Sequence, residues 1–188
     1  MAELISKARL PTIYGEFTIF AFKDNDNEHV VLLNEKGKRE KTAVRIHSKC
    51  LTGDVFKSLR CDCGEQLNES LKRIGKNGGV LIYLDQEGRG IGLTNKIKAY
   101  ALQDTGLDTY EANEFLGFGD DERDYGIVLE ILKSLGINDI RLFTNNPAKI
   151  KFLERNGVRV ERVPLIMKPN KHNSAYLKAK RIKSSHLF

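Results

Sequence analysis

At 188 residues, 40% hydrophobic and 30% charged, the chain is long enough for one sizeable core and has the composition of an ordinary globular domain. No apolar stretch approaches membrane length, the N-terminal MAELISKARL lacks a secretory hydrophobic region, and three cysteines are too few and too odd a number for a secreted disulfide framework. The formal charge of +6 sits wholly in the last stretch: Lys168, Lys171, Lys178, Lys180, Arg181 and Lys183 face no acidic residue there, and the remainder balances 25 basic against 25 acidic side chains.

This composition suits a reduced, cytoplasmic protein with no membrane partner. The charge distribution weakens a nucleic-acid role, which calls for a basic stripe on the folded face. The basic stretch itself reads as a solvated tail.

The first elements are strands: GEFTIFAF and HVVLLN, separated by the turn-rich KDNDNE, and then KTAVRIHS. After a cysteine-bearing loop, EQLNESLKRIGKNGG has helical apolar spacing closed by a glycine pair, and VLIYL reads as a short buried strand. GLTNKIKAYALQDTG and GIVLEILKSLG are helices with glycine ends, DIRLFT is a strand, and NNPAKIKFLERNG places Pro147 at a helix start and Gly157 past its end. VRVERV completes the series. Strands alternating with helices predict a single α/β domain with a mixed, partly parallel sheet layered with helices.

All three thiols fall between Cys50 and Cys63. Thr52, Gly53, Asp54, Arg60 and Asp62 make that loop too polar for an apolar core, which leaves two zinc readings. A structural site would recruit His47 as a fourth ligand; a catalytic site would keep three thiolates, Cys50, Cys61 and Cys63, and an open position. The residues alone leave both open, although the Cys-x-Cys spacing is shorter than a zinc-finger knuckle. The zinc nucleobase deaminases are disfavoured, because neither H-x-E nor P-C-x-x-C is present.

Two further loops suit phosphate. YLDQEGRGIGLTNK sets Gly88, Gly90 and Gly92 between a strand and a helix start, where backbone can approach a ligand and an anion is favoured. FTNNPAK repeats that design, with Lys149 in reach of a phosphate. The charge run GDDERDYG holds Asp120, Asp121, Glu122, Arg123 and Asp124, with Asp121 a candidate base or orienter and Arg123 a candidate phosphate partner.

RIHSKCLTGD, LRCDCG, QEGRGIGLTNKIKAYALQ, DTYEAN, DDERDYG and TNNPAK, in that order, closely resemble GTP cyclohydrolase II, from about Leu10 onward. The resemblance implies a catalytic domain over residues 1–167, with 168–188 as its basic C-terminal tail. It implies opening of the guanine imidazole ring of GTP, the first step of riboflavin biosynthesis. Carbon 8 leaves as formate, pyrophosphate is released, and a diaminopyrimidinone carrying the ribosylamino phosphate remains.

By the same resemblance, Cys50, Cys61 and Cys63 hold zinc, whose water is directed at carbon 8; Zn²⁺ brings a water pKa from 15.7 to roughly 7. Asp121 matches the proton acceptor, Arg123 the nucleophile toward the α-phosphorus, and Tyr100 an active-site tyrosine. An arginine nucleophile is awkward at a pKa above about 12, so electrostatic stabilisation is the rival role for Arg123. Nucleotide contacts carry over to Arg45, Ile46, His47, Ser48, Lys49, Gln66, Glu87, Gly88, Arg89, Thr109, Thr144 and Lys149. Glu87 suits the guanine edge, where a carboxylate accepts from N1–H and the 2-amino group. Mg²⁺ on the triphosphate and a homodimer are also implied. A zinc-stabilised nucleotide- or RNA-binding module without hydrolase activity is the alternative.

The sequence departs from the family pattern at Lys49, where Glu is usual, at Asp85, where Arg is usual, and at Ala148, where Lys is common. The first two reverse sign together, which predicts that Lys49 and Asp85 form an ion pair at the site mouth.

Overall fold

In a computed structural model the chain is described over residues 2–36, 40–119, 121–183 and 187. Asp120, a member of the predicted charge run, lies outside these residues, as do 184–186 and 188 of the basic stretch.

Among the described residues seven strands form one sheet, in the order β1-β2-β3-β5-β4-β6-β7. Strands β1 (Glu3–Thr12), β2 (Gly15–Asp24) and β3 (Asn27–Asn34) are an antiparallel meander, and β3 pairs antiparallel with β5 (Gly79–Leu84). From β5 onward the pairing is parallel, through β4 (Thr42–Ser48), β6 (Asp139–Phe143) and β7 (Arg159–Val163). The mixed, partly parallel α/β sheet expected from the alternation of elements is therefore present. Strand β1 was not anticipated: most of its residues are exposed, so its backbone ladder to β2 holds it and no buried face marks it in the sequence.

Among the described residues seven helices accompany the sheet: α1 (Leu51–Asp54), α2 (Cys63–Asn77), α3 (Gly92–Asp104), α4 (Thr109–Phe115), α5 (Gly126–Ser134), α6 (Pro147–Arg155) and α7 (Ser174–Lys183). A 3₁₀ turn covers Glu87–Gly90. Alternation along β5 divides the core. Val80 and Ile82 join Val128, Ile131 and Leu132 of α5 and Leu153 of α6 on one face, while Leu81 packs with Ile74 of α2, Phe17 and Leu165 on the other.

Helix α6 begins as expected, with Asn146 accepting from Ala148 N at 2.9 Å and Pro147 in the first turn. The parallel strands β4, β5 and β6 end together at Ser48, Leu84 and Phe143, so the cysteine loop, the glycine loop and the Thr144–Asn146 turn emerge from one edge. Strand β4 has β5 on one side and β6 on the other, and a crevice at such a switch point is where open α/β sheets bind ligands. No described helix is long and apolar enough to cross a membrane.

Candidate active site

The sulfur atoms of Cys50, Cys61 and Cys63 lie within 4.8 Å of one another, the one metal-ligand cluster of this kind among the described residues. Cys50 and Cys61 stand 3.8 Å apart at Sγ. Two thiolates bound 2.3 Å from a tetrahedral zinc are separated by about 3.8 Å, so the donor set and its spacing fit zinc. The thiols share charge unequally. Hydrogen bonds from Cys61 and then Cys63 lower the Cys50 thiol far below its usual pKa, while the hydrogen bond to Cys50 pushes Cys61 up to about 11 and Cys63 also rises.

Gly53 is required by this cluster, because a Cβ there would stand 2.9 Å from Cys61 Sγ and 3.2 Å from Cys50 Sγ. Asp54 fixes the loop from below. Its carboxylate accepts from Cys50 N at 3.0 Å, from Tyr83 OH at 2.8 Å and from His47 Nε2 at 3.0 Å. Burial holds His47 below its usual pKa, so the neutral ring donates from Nε2 to Asp54 and accepts at Nδ1 from Arg45 at 3.3 Å. Both ring nitrogens are thereby engaged. His47 is a support for the cysteine loop, and the four-ligand structural site imagined from its spacing is not formed.

Two clefts meet at the cysteines. Cys50, Cys63, Gly88, Arg89, Lys96 and Tyr176 belong to the walls of both. The first, of about 380 Å³, is also lined by Tyr100, Leu107, Asp108, Thr109 and Asn113, a mix of apolar and hydrogen-bonding groups. The second, of about 330 Å³, is bounded by seven basic side chains and one carboxylate, that of Asp121.

Of the residues expected to contact a nucleotide or act on it, Arg45, His47, Ser48, Lys49, Gln66, Thr144, Lys149, Asp121 and Arg123 line the basic cleft, and Thr109 and Tyr100 line the other. Gly88 and Arg89 line both. Ile46 and Glu87 line neither. Ile46 turns into the core and offers its carbonyl to Lys149 Nζ at 2.9 Å. Glu87 is buried, accepting from Lys96 Nζ at 2.8 Å, Leu51 N at 2.6 Å and Gly88 N at 2.9 Å. Its carboxylate joins the glycine loop to the cysteine loop and lines neither cleft.

Lys96, which the sequence reading passed over, also donates to Cys50 Sγ at 3.2 Å. The turn that brings it there is strained: Arg89 sits at φ 62°, ψ 32°, in left-handed space that a non-glycine residue adopts at a cost of about 1–3 kcal/mol. Gly90 allows the same turn to touch the charge run, since a Cβ there would meet Glu122 O at 2.9 Å while Glu122 N donates to Arg89 O at 3.0 Å.

In the basic cleft, Arg123 donates from Nε to Asp121 Oδ1 at 2.6 Å and pairs with Oδ2 through a second nitrogen. Burial disfavours the charge on Arg123, but its hydrogen bonds to Asp121 outweigh that and raise its pKa further. Burial likewise pushes Asp121 up, yet the hydrogen bonds and charge of Arg123 leave it below the usual carboxylate value. The pair is thus fully ionised at neutral pH. Arg45 is lowered to about 10 by burial and still carries its charge there. Lys149 is driven well below its ordinary value, first by burial and then by Arg123 and Arg45.

Buried polar atoms without a partner include Arg45 Nε, Ser48 Oγ and Tyr125 OH, the last on a ring that lies under both Arg123 and Lys149.

Tyr100 stands on the wall beside the cysteines, its OH 3.4 Å from Thr52 Oγ1 and its ring 4.9 Å from the Arg60 guanidinium, so it is not a core-packing tyrosine. The basic stretch is not a solvated tail either. Its helix α7 buries Leu177, and Lys180 and Tyr176 face the clefts, because a short amphipathic stripe outweighs the solvation of the remaining lysines.

The sequence model of GTP cyclohydrolase II matches residues 3–164. GTP cyclohydrolase-2 of Buchnera aphidicola subsp. Acyrthosiphon pisum is 56% identical, covering 98% of this chain and 98% of that protein. GTP cyclohydrolase-2 of Picrophilus torridus is 51% identical over the full length of both. Riboflavin biosynthesis protein RibBA of Chlorobium phaeovibrioides is 53% identical over 96% of this chain, which corresponds to 45% of that protein.

Proposed function

Because this chain belongs to the GTP cyclohydrolase II family, we propose that it opens the imidazole ring of GTP, releasing carbon 8 as formate and the outer phosphates as pyrophosphate, in riboflavin biosynthesis. The observation that carries the reading is the position of the three cysteines, on the wall shared by a mixed-polarity cleft and a strongly basic one. A nucleotide spanning the two puts its base in the first, its triphosphate in the second, and the bond to be broken beside the thiols.

Zinc held by Cys50, Cys61 and Cys63 would supply a Lewis acid and water activated near neutral pH. The protein's own side chains do the rest. Arg45 and Lys149 offer charge to the phosphates, and the Ser48 hydroxyl is a donor in want of an acceptor. Magnesium would enter with the triphosphate.

Arg123 acts as a fixed cation that stabilises charge developing at the α-phosphorus. A guanidinium anchored at two points by Asp121 keeps its protons and is a poor nucleophile. Asp121, ionised and held by that pair, orients Arg123 in the first place. Lys96 and Glu87 lock the glycine loop against the cysteine loop, which fixes the wall where the two clefts meet. The proposed setting is the cytoplasm, where thiols stay reduced.

The test is to incubate the zinc-loaded protein with GTP and magnesium and to quantify formate, pyrophosphate and the ultraviolet spectrum of the base. Equal amounts of formate and pyrophosphate are expected. Folded, zinc-loaded protein that leaves GTP intact would show instead a nucleotide-binding module.

A further inference from the structure

We propose that helix α7 completes the substrate site, with Lys180 a binding residue for the polyphosphate; this rests on the proposed function, whose triphosphate the basic cleft would hold. The match to the family model ends at residue 164, before α7 begins, so nothing in it gives this helix a role.

The helix turns one stripe inward. Tyr176, Leu177 and Lys180 are buried or half-buried, whereas Ser174, Lys178, Arg181 and Ile182 are exposed. Leu177 is the apolar anchor, at 7% exposure. Tyr176 and Lys180, four residues apart on one face, then look onto the site: Tyr176 stands at the wall common to both clefts, and Lys180 lines the basic one. The ammonium lies 4.3 Å from the Tyr176 ring centroid and is 12% exposed at its side chain.

Lys180 has an anionic neighbour, Asp62, but the contact is loose. Nζ stands 3.4 Å from Asp62 Oδ1, beyond the 2.7–2.9 Å of a tight charged hydrogen bond, and Asp62 already accepts from Gln66 at 2.5 Å through its other oxygen. Three N–H donors therefore outnumber what Asp62 and Tyr176 take up. Desolvation lowers the Lys180 pKa, but Tyr176, Asp62 and Cys63 more than reverse that, so the group is a cation in the protein. Lys180 is one of seven basic side chains that share this cleft wall with a single carboxylate, an excess that suits a polyanion.

Hydrogen bonds fix the start of the helix and tie the chain beyond it to the basic cleft. Ahead of α7, Asn170 N donates to Asn173 Oδ1 at 2.8 Å and Leu177 N to Asn173 O at 2.9 Å. Beyond it, Leu187 N donates to Asn145 O at 2.9 Å and Leu187 O accepts from Arg162 at 2.7 Å. Asn145 belongs to the turn that lines the basic cleft. The chain beyond the helix is thus fixed to the Thr144–Asn146 turn, while Lys180 itself reaches Asp62 of the cysteine loop.

The experiment compares wild type, Lys180→Ala, Lys180→Arg and Lys178→Ala, the last altering an exposed lysine of the same helix. Calorimetry measures binding of inorganic tripolyphosphate with magnesium and, separately, of guanosine; steady-state assays give kcat and KM for GTP. Lys180→Ala is expected to weaken tripolyphosphate and raise the KM for GTP about tenfold, with guanosine affinity and kcat little changed. Lys180→Arg should recover most of the loss, and Lys178→Ala should match wild type. Tripolyphosphate binding by Lys180→Ala equal to wild type would overturn the proposal. So would a parallel loss of tripolyphosphate and guanosine that Lys180→Arg does not repair, the mark of a merely structural side chain. Should the alanine variant fail to fold by circular dichroism, Lys180→Met keeps the aliphatic stem and decides by the same comparison. Wild-type protein inert toward GTP would defeat the proposed function, while the tripolyphosphate titrations would still decide Lys180.

Discussion

Lys49 Nζ lies 2.9 Å from Asp85 Oδ1, joining the residue after β4 to the residue after β5. The resemblance implies the opposite sign at each position, and a paired reversal preserves attraction where either change alone would set like charges together. At 39% and 35% side-chain exposure the pair is worth only about 0–1 kcal/mol, so it positions loops and adds little stability. Lys49→Ala and Asp85→Ala should each lower activity severalfold with melting temperatures nearly unchanged. The double variant should cost less than the two losses combined, and Lys49→Glu with Asp85→Arg should restore activity. Strictly additive losses in that cycle would mean the pair has no joint role.

The cysteine cluster should be separable from the fold. The core on both faces of the sheet is large and does not include the thiols, unlike a zinc finger that unfolds without its metal. Cys61→Ser is expected to keep its circular dichroism spectrum and release no formate. Gly53→Ala is a milder probe, since its methyl group would press on two sulfurs while leaving every ligand in place. It should weaken zinc retention against a chelator at least about tenfold, a clash equivalent to about 1.4 kcal/mol. Unfolding of Cys61→Ser, or wild-type zinc affinity in Gly53→Ala, would contradict this account.

What the sequence revealed was what lies within one loop. The three cysteines, the glycine loop and Asn146-Pro147 are local patterns with local causes, and each landed at the edge where β4, β5 and β6 end. What it hid depends on contacts across the chain. Asp54 sits in a polar loop and looks solvated, yet it is buried under His47, Tyr83 and Cys50. Lys96 reaches Glu87 and Cys50 only because Gly88 and Arg89 turn left-handed before α3. Glu87, whose chemistry suits a guanine edge, is claimed by those same neighbours. Helix α7 hid behind its charge, because an inward stripe of three residues is too short to show as periodicity among lysines.

Arg123 and the cysteines should govern different bonds. Arg123→Ala is expected to slow pyrophosphate release about a hundredfold or more, the usual scale for removing a preorganised charge from a transition state. Asp121→Asn keeps the shape but removes the anchoring charge, so it should show a smaller loss of the same kind. Neither should alter zinc content. Quench-flow measurement of both products decides the matter, and undiminished pyrophosphate release in Arg123→Ala would exclude a role for that residue at phosphorus.

Lys149 gives the site a pH dependence whose direction follows from its burial. Its folded pKa lies well below 10.5, so between the two values the unfolded chain binds the proton and the folded protein does not. Stability attributable to this group therefore increases as pH rises through that window. Ligand binding runs the other way. A phosphate beside Nζ favours the charged form, so at a pH above the free-protein value each bound triphosphate should draw one proton onto Lys149. Affinity for GTP should then fall as pH rises toward 10.5, by up to about tenfold per unit. Lys149→Arg, protonated throughout, should flatten the profile. Calorimetry in buffers of different ionisation enthalpy reads the proton directly: uptake on tripolyphosphate binding by wild type that is lost in Lys149→Arg is the expected result, and identical proton counts in the two would show that Lys149 does not titrate with the ligand.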